Sequence, residues 1–206
     1  QLPASAGSAA GVKTNPVGHN RAYVQVQRGF SYDSYFADFK AGRRFVTNGP
    51  MLFFSVDNHA PGDTLDLADG ARPNLKVSVE AIWNQPIGKV QIIANGHVVK
   101  SIEPDGVRKS VKETFDWTPS SAGWIAARVF GAGDLPARLA HTSPIYIHMP
   151  GRPLDPSEDA TYYVKWIGER IASLEEDENF VTDSQRETVR RQLREAKAVF
   201  GRLVRD

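Results

Sequence analysis

The sequence predicts a mainly β protein with added helices: an immunoglobulin-like β-sandwich, preceded by a strand-helix segment and followed by a C-terminal helical hairpin. Three observations predict it. Between residues 51 and 150, short alternating apolar runs recur between turn residues with no helical period, giving roughly six or seven strands in about 100 residues. Asn95-Gly96 sits between two such runs, and this dipeptide suits the tight hairpin turn that needs positive φ at both central residues. After Asp155 the apolar period changes to the helical one, in two stripes that each follow capping residues.

Residues 1 to 20 are rich in Gly, Ala, Ser and Pro and carry too little apolar surface to order themselves, so they read as a loop. Ala22 to Val26 alternates as a strand. Ser31 is placed to N-cap a helix over residues 32 to 41, whose stripe is Tyr32, Tyr35, Phe36 and Phe39, and Gly42 falls where a left-handed cap belongs. One strand and one helix cannot bury both their faces, so residues 1 to 50 need a partner. Asn48-Gly49-Pro50 then turns the chain into a buried strand, Met51 to Val56.

Within 51 to 150, Leu75, Val77, Val79, Ala81 and Trp83 alternate with Lys76, Ser78 and Glu80, giving one buried and one wet face. A turn at Asn95-Gly96 puts Ile93 opposite Val98 and Ile92 opposite Val99, so both faces near it are apolar. Val111, Phe115 and Trp117 form the next set, which Thr118-Pro119 stops. Residues 124 to 130 and Ile145, Ile147 and Met149 complete the strands. Trp83, Trp117 and Trp124 read as core rather than as an exposed platform for sugars.

Gly151 to Leu154 is a linker into a third region, 151 to 206. Asp155 as N-cap, Pro156 at the first helical position and Glu158 begin a helix with the stripe Ala160, Tyr163, Val164, Ile167, Ile171 and Leu174. Acidic residues 175 to 178 break it, and Thr182 to Gln185 caps a second helix carrying Val189, Leu193, Ala196, Phe200 and Leu203. Each helix buries one stripe, so the expected arrangement is a hairpin docked on another surface through Trp166, Ile167, Ile171, Leu193 and Phe200.

Charge narrows the function classes. Lys plus Arg number 25 against 24 Asp plus Glu, so no global field favours nucleic acid or an anionic membrane. No run approaches the roughly 18 apolar residues of a membrane span. The absence of Cys excludes disulfides, thiolate metal sites and a Cys nucleophile. The N-terminus lacks a basic region and a long apolar run, so it is not a signal peptide as it stands: either a signal was removed upstream or this is a piece of a longer chain, and the compartment stays open, with a secreted or periplasmic one favoured.

The five histidines show no HxH, HxxxH or HExxH spacing, so no metal ligands are assigned, and no catalytic residue either. His97 follows the hairpin turn and His59 sits in a Pro-Gly loop, both read as surface. Asp57, Asp63, Asp66 and Asp69 read as turn and cap residues rather than a calcium site. That leaves five candidates for a cleft or an interdomain contact: the polar triplet His19, Asn20 and Arg21 entering the first strand, Asn48 in the turn, and His141 within Ala-His-Thr-Ser-Pro.

Several of these stretches occur together in a fixed order: Gly18-His19-Asn20-Arg21-Ala22-Tyr23-Val24, then Ala41-Gly42-Arg43-Arg44-Phe45-Val46-Thr47-Asn48-Gly49-Pro50, then Pro61-Gly62-Asp63, then residues 140 to 147, and Trp166-Ile167. Taken together they resemble the C-terminal part of the CehA/McbA-like metallohydrolases of the PHP (polymerase and histidinol phosphatase) superfamily. The resemblance implies that a divalent metal belongs to a full-length member only, with no cofactor in this chain. Its partner would be an N-terminal PHP-type domain, or another copy of the chain. Members of this kind carry Gly-Ser-Asp shortly before the Arg-x-Tyr-Val strand, the Asp being a metal ligand; here Ala9 stands in that position, and no His-x-Asp-x-His run is present. The resemblance therefore implies a non-catalytic scaffold or interdomain module. The alternatives are an immunoglobulin-like module that binds carbohydrate or a surface, and a subunit completing a hydrolase site with another chain.

Overall fold

The alternating runs become eleven strands among the residues described by the computed structural model, which are 2–11, 16–70, 73–133, 137–174 and 179–204. They are β1 (Arg21–Val24), β2 (Arg44–Thr47), β3 (Met51–Val56), β4 (Thr64–Asp66), β5 (Leu75–Ile82), β6 (Ile87–Ala94), β7 (His97–Ile102), β8 (Ser110–Trp117), β9 (Gly123–Gly131), β10 (Leu139–Thr142) and β11 (Ile145–His148). The helices are α1 (Tyr32–Lys40), α2 (Ser157–Ser173) and α3 (Asp183–Gly201). Residues 1–153 and 154–206 form two compact units.

In the first unit two sheets face each other. The smaller runs β3-β5-β8, antiparallel throughout. The larger is built on β9, with β6 and then β7 along one edge. Along its other edge lie β10 and β11 in succession; β2 and β1 extend the sheet beyond β10, and β4 pairs parallel with β11. Three strands face a sheet of eight among the described residues, and the short early strand β4 running parallel to the last, β11, is an immunoglobulin-like feature. The inner faces meet through Leu52, Val56, Val77 and Val79 from one sheet and Val90, Ile92, Ile125, Val129 and Ile145 from the other, all essentially inaccessible. Each such side chain contributes about 1.5 to 3 kcal/mol of burial.

The stretch Thr142-Ser143-Pro144 explains why one long run is divided into β10 and β11. Pro144 has no N–H, and at this point the chain changes neighbours from antiparallel β2 to parallel β4. Side chains and loops take up the interrupted pairing: the Ala127 N–H donates to Thr142 Oγ1 (3.0 Å), the Ser143 N–H to the Arg44 carbonyl (2.8 Å) and the Gly62 N–H to the Pro144 carbonyl (2.8 Å).

Asn95 (φ 49°) and Gly96 (φ 87°) both adopt positive φ, as the tight hairpin requires. Ile93 pairs with Val98 as expected, but a bulge after Ile92 sets that residue opposite Lys100 rather than Val99. The bulge lets Ile92 face the core and turns Lys100 toward the smaller sheet, where its ammonium reaches Glu113 (3.0 Å) and the ring of Phe115. Both faces of β6 are thus covered at this point: Ile93, opposite Ala126 on the outer side, is 5% exposed.

Residues 1–50 do not stand apart from the sandwich, since β1 and β2 belong to its larger sheet. Ser31 caps α1 in a reciprocal capping box with Ser34, and Gly42 (φ 81°) ends it in the left-handed conformation.

In the second unit, α2 begins at Ser157 rather than Pro156, because the Asp155 carboxylate takes both the N–H (3.0 Å) and the hydroxyl (2.6 Å) of Ser157. Ala160, Ile167 and Leu174 are buried, and Tyr163 stacks on Phe200 with centroids 4.7 Å apart. Trp166, expected among the packing residues, is 44% exposed.

Candidate functional site

Arg44 anchors a network that binds the first residues of the chain to the sandwich. Its position on β2 points it away from the core, yet it is buried at 6% exposure. Its guanidinium donates to the carbonyls of Ala4 and Phe39 and, at 3.5 Å, of Pro3, and it lies 3.7 Å over the Phe39 ring. Burial pulls this guanidinium below its ordinary pKa, with Tyr35 opposing. Nearby, the Ala4 N–H donates to Ser143 Oγ (3.3 Å), and burial raises the Tyr146 phenol while the Leu2 backbone opposes it.

Other residues of the sequence motifs act similarly. The Asn20 N–H donates to Ser8 Oγ, and that hydroxyl to the Asn20 carbonyl, each at 3.0 Å. Thr47 Oγ1 donates to the Pro50 carbonyl (2.6 Å) and accepts from the Gly49 N–H (2.8 Å). Asn48 clamps the start of β10, accepting from the Leu139 N–H (2.8 Å) and donating to the Ala137 carbonyl (3.0 Å). Gly62 packs so closely on the end of α1 that a Cβ there would lie 2.2 Å from the Ala41 carbonyl oxygen, while Asp63 pairs with Arg43 at 3.3 Å. His141 stays on the outer face of β10, and its Nδ1 donates to the Thr142 carbonyl (2.7 Å).

Of the five sequence candidates, His19, Arg21 and Asn48 come together, and Asn20 and His141 do not join them. The three line a recess of about 350 Å³ with Trp83, Asn84 and Arg138. Arg138 Nη1 donates to His19 Nε2 (3.1 Å), and Arg21 Nη1 donates to the His19 carbonyl (3.1 Å). Sequence reasoning missed Arg138, which reaches His19 across 119 positions and carries no local motif.

A larger groove of about 850 Å³ lies between the β1–β2 extension and the outer face of the smaller sheet. Tyr23 stacks on Phe45 (5.2 Å) and Phe45 meets Phe53 edge-on (6.1 Å), leaving Tyr23 39% and Phe53 49% exposed. Ser55, Ser78, Thr114 and the Glu80–Lys112 ion pair (3.1 Å) continue the lining. His59, read from sequence as a surface residue, also lines it, with a buried Nδ1 that has no hydrogen-bond partner among the described residues. The cause is a tight reversal, in which Val56 and His59 exchange backbone hydrogen bonds around Asp57 at φ 49°. The tryptophans do not form one platform: Trp83 lines the small recess, Trp117 pairs with Leu75 in the smaller sheet, and Trp124 lies opposite Tyr146 on the outer face of the larger.

The residues present do not fit a divalent-metal cage, since among those described no three His, Asp or Glu side chains converge. The four aspartates of the 57–69 loop serve separately: Asp57 accepts from the Lys76 N–H (2.9 Å), Asp63 from the Ala60 N–H (2.9 Å), Asp66 pairs with His148 (2.9 Å), and Asp69 abuts Gly151. No helix among the described residues is long and apolar enough to cross a membrane.

No family model matches the chain, and no curated protein matches it. Among solved structures it is similar to a lytic polysaccharide monooxygenase from Jonesia denitrificans determined by neutron crystallography, at 14% identity over 65% of this chain and 80% of that one, with a TM-score of 0.32. At that score the likeness carries no argument about function, and the architecture stands on the strand pairing described above.

Proposed function

We propose that the chain is a non-catalytic scaffold or interdomain module from the C-terminal part of a PHP-type metal-dependent hydrolase. The observation that carries this reading is the Arg44 network, in which one buried guanidinium ties the carbonyls of residues 3, 4 and 39 to the sandwich sheet. The stretches behind the resemblance, Asn20, Thr47, Asn48, Gly62-Asp63 and Thr142-Ser143, are largely engaged in internal bonds of the same kind. Side chains used this way hold a junction together and are not free to work on a substrate. In this role the sandwich would fix the end of the hydrolase domain, the metal chemistry residing elsewhere.

The test has two parts. The reading frame upstream of Gln1 is expected to encode a His-x-Asp-x-His run. The purified chain is expected to turn over no phosphodiester or aryl ester with manganese, zinc or iron. Reproducible turnover that chelation abolishes, and that His141→Ala removes while His97→Ala spares it, would overturn the scaffold reading.

A second reading, a carbohydrate- or surface-binding module, is favoured by the Tyr23–Phe45–Phe53 groove, where half-exposed ring faces adjoin hydroxyl and charged groups. Saturable binding of soluble oligosaccharides, lost in Phe53→Ala, would select it over the scaffold.

A further inference from the structure

The small recess at the ends of β1, β2 and β5 and the start of β10 gathers two guanidiniums and leaves part of their donor capacity unspent among the described residues. Arg21 and Arg138 both line it, and both bond to the same residue, His19. Elsewhere in this unit Arg43 is paired with Asp38 and Asp63 and Lys100 with Glu113, while the buried Arg44 directs its donors to three backbone carbonyls. Neither Arg21 nor Arg138 has a carboxylate partner among the described residues, although each is half-buried.

The donors can be followed atom by atom. Arg21 Nε donates to the Tyr23 hydroxyl (3.1 Å), and its Nη1 to the carbonyls of Gly18 (3.2 Å) and His19 (3.1 Å). Arg138 uses Nη1 on His19 Nε2. Arg21 Nη2 and Arg138 Nε and Nη2 make no hydrogen bond to the described residues. A guanidinium has no lone pair to offer, so the imidazole must accept at Nε2 and carry its own proton on Nδ1. Asn84 and Gln85 add exposed side-chain amides at the rim. The floor is rigid, because the Trp83 ring lies against Gly49 and Gly131, where a Cβ on Gly131 would come 2.5 Å from it.

We infer that this recess binds an oxyanion, a phosphate or carboxylate group, between the guanidiniums of Arg21 and Arg138. Two like charges held on one residue repel each other, and an oxyanion accepting from both forks offsets that repulsion while satisfying the unused donors. The inference does not depend on the scaffold reading, since it concerns a ligand of the sandwich itself.

The test titrates the full chain at constant ionic strength with inorganic phosphate in one arm and acetate in the other, exchanged against chloride, following the Trp83 indole N–H resonance. A saturable shift with a millimolar or tighter midpoint is expected, and the arm with the tighter midpoint identifies the source of the oxyanion. Arg138→Gln and Arg21→Gln should each weaken binding about tenfold or more, on the scale of one charge-assisted hydrogen bond. Arg128→Gln, whose guanidinium bonds Gln91 outside the recess, should leave it unchanged. Gln85→Glu changes only an exposed rim residue and places a carboxylate at the mouth, so it should abolish binding even if an arginine variant fails to fold. A shift that stays linear in both arms, or that survives Gln85→Glu undiminished, overturns the site.

Discussion

The β-sandwich and the helical hairpin solve the same burial problem with different success. In the sandwich each sheet covers the other's apolar face, and long runs such as Ile125, Ala127 and Val129 are completely inaccessible. In the hairpin two single stripes meet, and among the described residues only Ala160, Ile167 and Leu174 are buried, while Tyr162, Trp166 and Val199 remain exposed. A sheet presents a broad face to its partner, whereas a helix offers one narrow stripe and leaves its flanks to solvent. Stability should therefore be concentrated in residues 1–153, with 154–206 held by fewer and shallower contacts.

The most severe challenge to that contrast is Ile125→Ala. It removes three buried carbons from the centre of the sandwich and is expected to cost about 2 to 5 kcal/mol by denaturant unfolding. An equal loss from Ile167→Ala in the hairpin would break the comparison.

Next in size is Arg44→Met, which takes the guanidinium from the carbonyls of Pro3, Ala4 and Phe39, the last of which keeps the Gly42 N–H, at a cost of about 2 to 3 kcal/mol. Because those carbonyls belong to the first residues and to α1, amide exchange should accelerate in residues 2–9 well before the β5 or β9 amides respond. Uniform acceleration across the sandwich would show that Arg44 supports the core itself rather than a junction.

Phe200→Ala sharpens the other side of the contrast. Phe200 is half-buried and stacks on Tyr163, so its loss should cost about 1 to 2 kcal/mol and appear as reduced helicity. An unchanged helical signal and thermal midpoint would mean that the ring pair holds nothing together.

The smallest expected effect is at Ala9, which adopts φ 49° although a Cβ disfavours that region. Ala9→Gly should relieve roughly 0.5 to 1 kcal/mol, read as a slightly higher thermal midpoint of the sandwich with none in the hairpin. Destabilisation instead would indicate that the N-terminal segment contributes by restricting the unfolded chain.

The sequence by itself determined whatever depends on near neighbours. Period-two alternation from Leu75 to Trp83 marked a strand, Asn95-Gly96 marked a turn that both positive φ values bear out, and Ser31 and Gly42 marked the ends of α1. The tertiary structure decided which distant segments meet. Nothing local places β2 beside β10, makes Thr142-Ser143-Pro144 the point where one strand exchanges an antiparallel neighbour for a parallel one, or puts a bulge after Ile92. The candidate recess divides the same way: His19, Arg21 and Asn48 stood out as polar residues at strand entrances, but Arg138 joins them only because strand pairing carries the start of β10 to the end of β2. Backbone preference acts over a few residues, while pairing register and side-chain convergence are set by how two sheets must lie to bury one shared core.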